Sequence, residues 1–265
     1  MISIILVTYN RLHLLRSCVE QVLSRTSDAT TQIVIWNNAS TDGTRAYLDA
    51  LTDPRLEIVH HEQNIGTNAF ARAFARAREA YFIELDDDIL DAPQDWDRLM
   101  LDAYRRSTDM GYLAADVIED GKSVAAEIRY RRDAHLYTQR NDNGVNLLDG
   151  PTGGWCTMTS RAVYEQVGGF REDPRFTFWH EDGAYARAVQ GAGYHYAVLE
   201  DLKVFHASGP AYTDDQSIAD AKAKYYTWRD NRRKRRESVK RLLDAIPPVR
   251  LLNQRFGFYT RRAPG

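Results

Sequence analysis

Short runs of continuously apolar residues, separated by segments of helical period, dominate the first ninety or so residues. Ile2 to Val7 is apolar apart from Ser3 and breaks at Thr8-Tyr9-Asn10-Arg11. The next segment sets Leu12, Leu15, Val19, Val22 and Leu23 on one helical face. Ile33 to Trp36 reads as a second strand. It ends in the polar run Asn37 to Thr44, where Ser40 or Thr41 is placed to cap a helix carrying Tyr47, Leu48 and Leu51. Leu56 to Val59 predicts a third strand, and the turn Asn64-Ile65-Gly66 leads into an Ala-rich helix from Ala69 to Arg78. Tyr81 to Leu85 predicts a fourth strand. Strands buried on both faces are apolar throughout rather than alternating. The order therefore predicts an α/β fold with a parallel sheet, right-handed crossovers and strand ends that line one crevice.

The second half is less regular. Trp96 to Arg105 predicts a helix, Tyr112 to Val117 a strand and Ala125 to Tyr130 another. Asp133 to Asp149 is polar and holds the turn signal Asn141-Asp142-Asn143-Gly144, which suggests a loop beside the active site. A short helix near Arg161 to Gln166 precedes the turn Gly168-Gly169-Phe170. Trp179-His180-Glu181-Asp182 leads into another helix, and Tyr194 to Leu199 and Leu202 to His206 predict two closing strands. From about Asp214 the chain is helix-prone, and Leu242, Leu243 and Ile246 form an apolar stripe before Pro247-Pro248.

Composition narrows the class. Apolar residues make up 43% of the 265 and charged residues 27%, as in a globular domain with a real core. No apolar run approaches the ~20 residues that span a bilayer, and the N-terminus lacks the basic flank of a secretory leader. Two cysteines, Cys18 and Cys156, make neither a disulfide framework nor a zinc cluster. A cytoplasmic setting is the expectation. Charge is uneven: Lys222 to Gly265 holds 14 Lys/Arg against 3 Asp/Glu in a chain of net charge −2. Its mixture of Arg with Leu251, Leu252, Phe256, Phe258 and Tyr259 fits two environments. One is the anionic inner face of the cell membrane, met peripherally; the other is a packed helix with a solvated basic face.

Three adjacent carboxylates, Asp86, Asp87 and Asp88, close the fourth strand. Without a partner they would repel one another. A hard divalent cation is one solution and a solvated acidic turn is the other. The strand ends upstream favour the cation, because open α/β sheets bind ligands at their carboxyl edge.

The ordered set Ile2 to Arg11, Asn37 to Thr44, Asn64-Ile65-Gly66, Asp86 to Asp88, Gly168-Gly169-Phe170, Glu181-Asp182 and Val204-Phe205-His206 resembles the family 2 glycosyltransferases over roughly residues 2–236. The resemblance implies a GT-A fold: a single Rossmann-like domain with a mostly parallel central sheet flanked by helices, plus a C-terminal helical basic tail. The expected division is 1–213 for the glycosyltransferase domain and 214–265 for the tail. Residues 1–110 would form the nucleotide-binding half and 111–213 the acceptor-binding half. The implied reaction is an inverting transfer from a nucleotide-sugar donor with Mn²⁺ or Mg²⁺, in surface glycan synthesis, to a saccharide or lipid-linked glycan acceptor. No nucleic acid is expected. Tyr225 to Asn231 is similar to a segment of rhamnosyl- and galactofuranosyl-transferase-like members.

Carried over residue by residue, the resemblance makes Asp88 a metal ligand and His206 a second ligand, though a lone His is commonly structural. Asp86 or Asp87 would face ribose or a metal-bound water. Thr8, Tyr9, Asn10, Arg11, Asn37, Asn38 and Gly66 would take the nucleotide. Asn37 stands where members usually carry Asp; its carbonyl can still accept a uracil-type N–H. That departure leaves the base open among UDP, dTDP and GDP, in that order. Arg72 fits a phosphate or a plain helix surface. Asp182 would be the general base, since a single displacement needs one opposite the leaving diphosphate; acids at a helix start also have a plain electrostatic explanation. Glu181 would bind an acceptor hydroxyl or orient the base. Gly154, Trp155, Trp179 and His180 would meet the acceptor, with Trp155 either stacking on a sugar or packing in the core. Two rivals compete. A sugar-1-phosphate nucleotidyltransferase needs a Gly-rich phosphate loop after the first strand, and residues 8–12 contain no glycine. A catalytically inactive binding subunit would not need both Asp88 and Asp182.

Overall fold

The apolar runs become one half of a single sheet. The structure is a computed structural model that describes residues 1–119, 136–207 and 216–246. Strands β1 (Ile2–Thr8), β2 (Thr30–Asn38), β3 (Leu56–His61) and β4 (Tyr81–Asp86) pair in parallel in the order β3-β2-β1-β4. Helices α1 (Leu12–Arg25), α2 (Thr44–Asp49) and α3 (Asn68–Phe74) connect them. Helix α2 is not capped by Ser40 or Thr41, which are bonded to Asn10. Its cap position is Gly43, at φ 90° and without a side-chain cap, and the preceding Asp42 accepts from the Thr44 N–H at 3.2 Å and the Thr44 hydroxyl at 2.6 Å. Helix α3 stops short of Arg78 because buried Gln32 takes the backbone beyond it. Its amide donates to the Arg76 carbonyl at 2.9 Å and accepts from the Arg78 N–H at 2.9 Å.

Beyond β4 come β5 (Ile89–Asp91), α4 (Trp96–Arg106), β6 (Met110–Glu119), β7 (Thr138–Asp142), β8 (Val145–Asp149), β9 (Cys156–Ser160), α5 (Arg161–Val167), α6 (Glu181–Gly191) and β10 (His195–His206). The sheet continues β4-β9-β6-β10-β8-β7, with β5 added to β10. Strand β9 was not foreseen. It runs antiparallel to both β4 and β6 and makes the sheet mixed.

The polar stretch before it is a hairpin rather than a loop. Asn143 and Gly144 turn it at φ 51° and 78°, the positive angles that tight hairpins need. It sits at the sheet edge, separated from β4 by β9, β6 and β10. The two expected closing strands are one, with a register break between Leu199 and Lys203. The strand expected over Ala125 to Tyr130 lies outside the described residues.

Alternation along the central strands splits the core. Ile4 and Leu6 of β1 pack with Leu15 of α1 and Trp96 and Met100 of α4, whereas Ile5 faces Phe70 and Phe74 of α3, Val163 of α5 and Tyr185 of α6. Met1–Asp214 forms one compact unit. Asp215–Gly265 forms a second, whose described part is helix α7 (Gln216–Asp244). The basic, aromatic stretch Arg250 to Arg262 lies outside the described residues. No described helix is long and apolar enough to cross a membrane.

Candidate active site

Two strand ends build the acidic cluster. Strand β4 carries Asp86 to the carboxyl edge, level with Val7 of β1. Asp87 and Asp88 turn the chain into β5, which pairs antiparallel with the end of β10, Ile89 opposite His206. The Ala207 N–H donates to the Asp88 carbonyl at 2.9 Å and ties the two segments together. His206 Nε2 therefore stands 3.1 Å from Asp88 Oδ1 and 3.8 Å from Asp86 Oδ2. One ligand atom each from Asp86, Asp88 and His206 lies within 4.8 Å of the others.

Two carboxylates and an imidazole are a donor set for a divalent ion such as Mn²⁺ or Mg²⁺. The electrostatics agree. Burial and the neighbouring Asp88 charge push the Asp86 carboxyl up to about 7, so negative charge there lacks compensation. Burial alone would raise Asp88 too, but His206 and Arg11 outweigh it and hold Asp88 below the usual carboxylate range. The residues fit a divalent cation.

Asp87 faces another way. Its Oδ2 accepts from the Thr8 hydroxyl at 2.7 Å and its Oδ1 from Arg11 Nη1 at 2.5 Å. Arg11 Nη2 donates to Asp88 Oδ2 at 2.5 Å. Burial lifts the Asp87 carboxyl to about 6 against the pull of Arg11. Thr8 and Arg11, expected at the nucleotide, thus lie against the acidic turn.

The other strand ends hold one another. Asn10 adopts φ 51° and Ala39 φ 66°, a left-handed conformation unusual for side-chain-bearing residues. Asn10 Oδ1 accepts from the Thr41 N–H at 2.7 Å. Buried Asn37 accepts from the Ser40 N–H at 3.0 Å through Oδ1, and its amide nitrogen lies 3.0 Å from His60 Nδ1. Buried Asn38 binds loop 64–66: its amide donates to Asn64 Oδ1 and the Gly66 carbonyl, and its oxygen accepts from the Ile65 N–H. Gly66 has φ +59°, and a methyl there would fall 1.4 Å from the Thr177 carbonyl oxygen. Tyr9 is half-buried at the end of β1. Arg72 pairs with Glu172 on the surface.

A second acidic group sits under the loop before β9. Glu181 and Asp182 begin α6, and Asp182 Oδ1 accepts from the Gly183 N–H at 2.6 Å. Burial, then Asp182, raises the Glu181 carboxyl well above its ordinary value. Trp155 donates its ring N–H to the Ala115 carbonyl at 2.8 Å and lies over Gly153, and the Asp86 N–H donates to the Trp155 carbonyl at 2.8 Å. Trp179 donates to Asn68 Oδ1 at 3.0 Å, and His180 sits edge-on to Phe178 at 6.0 Å between ring centroids. Glu84, which the sequence pattern does not single out, is buried on β4 two residues before Asp86. It accepts from the Tyr112 hydroxyl at 2.7 Å, and burial and then Glu181 raise its carboxyl well above its ordinary value.

This architecture has known counterparts. The family model described as glycosyl transferase family 2 matches residues 3–168, more than half the chain. The chain belongs to that family. No curated protein matches its sequence significantly. Among solved structures it is similar to the mannosyltransferase PcManGT from Pyrobaculum calidifontis, in complex with GDP-Man and Mn2+, at 18% identity and TM-score 0.58. It is also similar to GalNAc-T7, with UDP, GalNAc and Mn2+, at 15% identity and TM-score 0.61. Both matches cover 78% of this chain, but only 57% and 43% of those chains. At these identities the likeness is one of fold, and the fold is that of the GT-A glycosyltransferases.

Proposed function

We propose that this chain transfers a sugar, with inversion, from a nucleoside diphosphate donor to a saccharide or lipid-linked glycan acceptor. The supporting observation is the Asp86, Asp88 and His206 cluster at the carboxyl edge of a family 2 sheet. These three residues would hold Mn²⁺ or Mg²⁺, which when bound would supply charge neutralisation to a departing diphosphate. The nucleoside lies across the strand ends at Tyr9, Asn37 and Gly66, with Asn37 accepting from the base, which suits UDP or dTDP. Asp182 Oδ2 takes the acceptor hydroxyl proton, because Oδ1 is engaged by the Gly183 N–H. Glu181 orients that carboxylate, and Trp155, Trp179 and His180 border the acceptor beside Gly154. The likeness of Tyr225 to Asn231 to rhamnosyl- and galactofuranosyl-transferase-like members favours a donor sugar of that kind.

Helix α7 supports a role at an anionic surface. It carries Arg232 to Arg236, with Val239 and Leu242 exposed one turn apart, and Ile246 is exposed just past its end. Calorimetry with UDP and dTDP, with and without Mn²⁺, tests the central reading. Wild-type protein is expected to bind one of them in a Mn²⁺-dependent way and Asp88→Ala to lose that dependence. Equal affinity in the two proteins would remove the cation from the reading.

A further inference from the structure

The arrangement around Arg11 goes beyond the ligand set itself. The side chain is only 14% exposed, and its fork spans two carboxylates that are 3% and 0% exposed. On Asp87 both oxygens are engaged, one by Arg11 and one by the Thr8 hydroxyl. On Asp88, Oδ2 goes to Arg11 while Oδ1 is the atom that faces His206 at 3.1 Å. The planar guanidinium thus links a carboxylate turned away from the cluster to one turned into it. A Lys ammonium is a point charge and cannot span both carboxylates with the same rigid geometry.

Building on the cation reading above, we propose that Arg11 is a positioning residue: its fork, braced on Asp87 and Thr8, turns Asp88 so that Oδ1 is presented to the cation. Two other roles make different predictions. A phosphate-binding arm would leave cation affinity in the absence of nucleotide unchanged when altered. A guanidinium standing in for the cation would compete with it, and its loss would tighten binding. Residues that orient metal ligands through hydrogen bonds are worth about 10- to 100-fold in metal affinity.

The test is a Mn²⁺ titration of the full chain without nucleotide, following free Mn²⁺ by electron paramagnetic resonance, with circular dichroism to check the fold. Arg11→Lys keeps the charge and is expected to weaken Mn²⁺ binding about tenfold or more. Thr8→Val, which removes the brace on Asp87, is expected to weaken it in the same direction by a smaller factor. Thr8→Ser, which retains the hydroxyl, is expected to hold the wild-type affinity. Unchanged or tighter binding in a folded Arg11→Lys protein overturns the positioning role while leaving the cation reading intact. Should Arg11→Lys fail to fold, equal affinity in the Thr8→Val and Thr8→Ser proteins overturns it. A wild-type protein that binds no Mn²⁺ overturns the cation reading and this role together.

Discussion

Glu84 and Gly154 are fitted to each other: a methyl group on Gly154 would lie 2.3 Å from Glu84 Oε1. The glutamate side chain fills the notch that the missing side chain leaves. Gly154→Ala is expected to destabilise the fold by about 1–3 kcal/mol, the usual cost of overpacking a filled site. Combined with Glu84→Ala, the substitution should cost less than the sum of the two alone, because one removes the atoms that the other strikes. Denaturant unfolding of the three variants reads the coupling, and simple additivity would mean that the two residues do not press on each other.

Glu84 also makes stability depend on pH. Burial, then the charge on Glu181, lifts its carboxyl well above the ordinary value. The folded state therefore holds this proton at pH values where the unfolded chain has released it. Stability from this group is full below the unfolded value, near 4.3, and falls as pH rises toward the folded value. Glu84→Gln keeps an acceptor for the Tyr112 hydroxyl without the ionisation. It is expected to raise the melting temperature at pH 8 and to change it less at pH 4.5, in metal-free protein. A difference from wild type that stays constant across that range would contradict the account.

Asp182→Asn removes the proposed proton acceptor while leaving an oxygen for the Gly183 N–H. Transfer is expected to fall by about 100-fold or more, with nucleotide affinity in the presence of Mn²⁺ unchanged. Rate measurements under saturating donor separate the two effects. Retained turnover would take Asp182 out of the base role.

Gly66→Ala meets two obstacles together, the left-handed φ of +59° and the Thr177 carbonyl. The conformational cost alone is about 1–2 kcal/mol, and the backbone clash adds to it. Because Thr177 leads into the segment before Asp182, the variant should lower both melting temperature and transfer rate. A variant of wild-type stability would show that loop 176–178 yields easily.

Several of these residues stand out in the sequence and several do not. Asp86 to Asp88 are visible because charge abruptly ends an apolar strand, and Gly66 because it follows Asn64-Ile65 at a strand end. Strand β9 is not visible: Cys156-Thr157-Met158-Thr159 is short and mixed, and its pairing with β4 and β6 depends on distant residues. The hairpin of β7 and β8 looks like a loop because an edge strand with one face in water carries polar residues. Glu84 is hidden by its apolar neighbours; only the placement of Tyr112 and Gly154 around it gives it a distinct environment. Gln32 and Asn38 look like strand-end polar residues, yet their side chains bond to the backbones of residues 76–78 and 65–66.

The pairing of β5 with β10 joins the early acidic turn to the last strand of the sheet. The Asp86, Asp88 and His206 cluster is therefore a long-range contact that exists only after the chain has closed over most of its length. Bringing such distant segments together costs loop entropy before any contact rewards it. A cation that binds only the closed form would add its binding free energy to the closed sheet. Residues 3–168 on their own, though they match the family model, would carry the aspartates without His206.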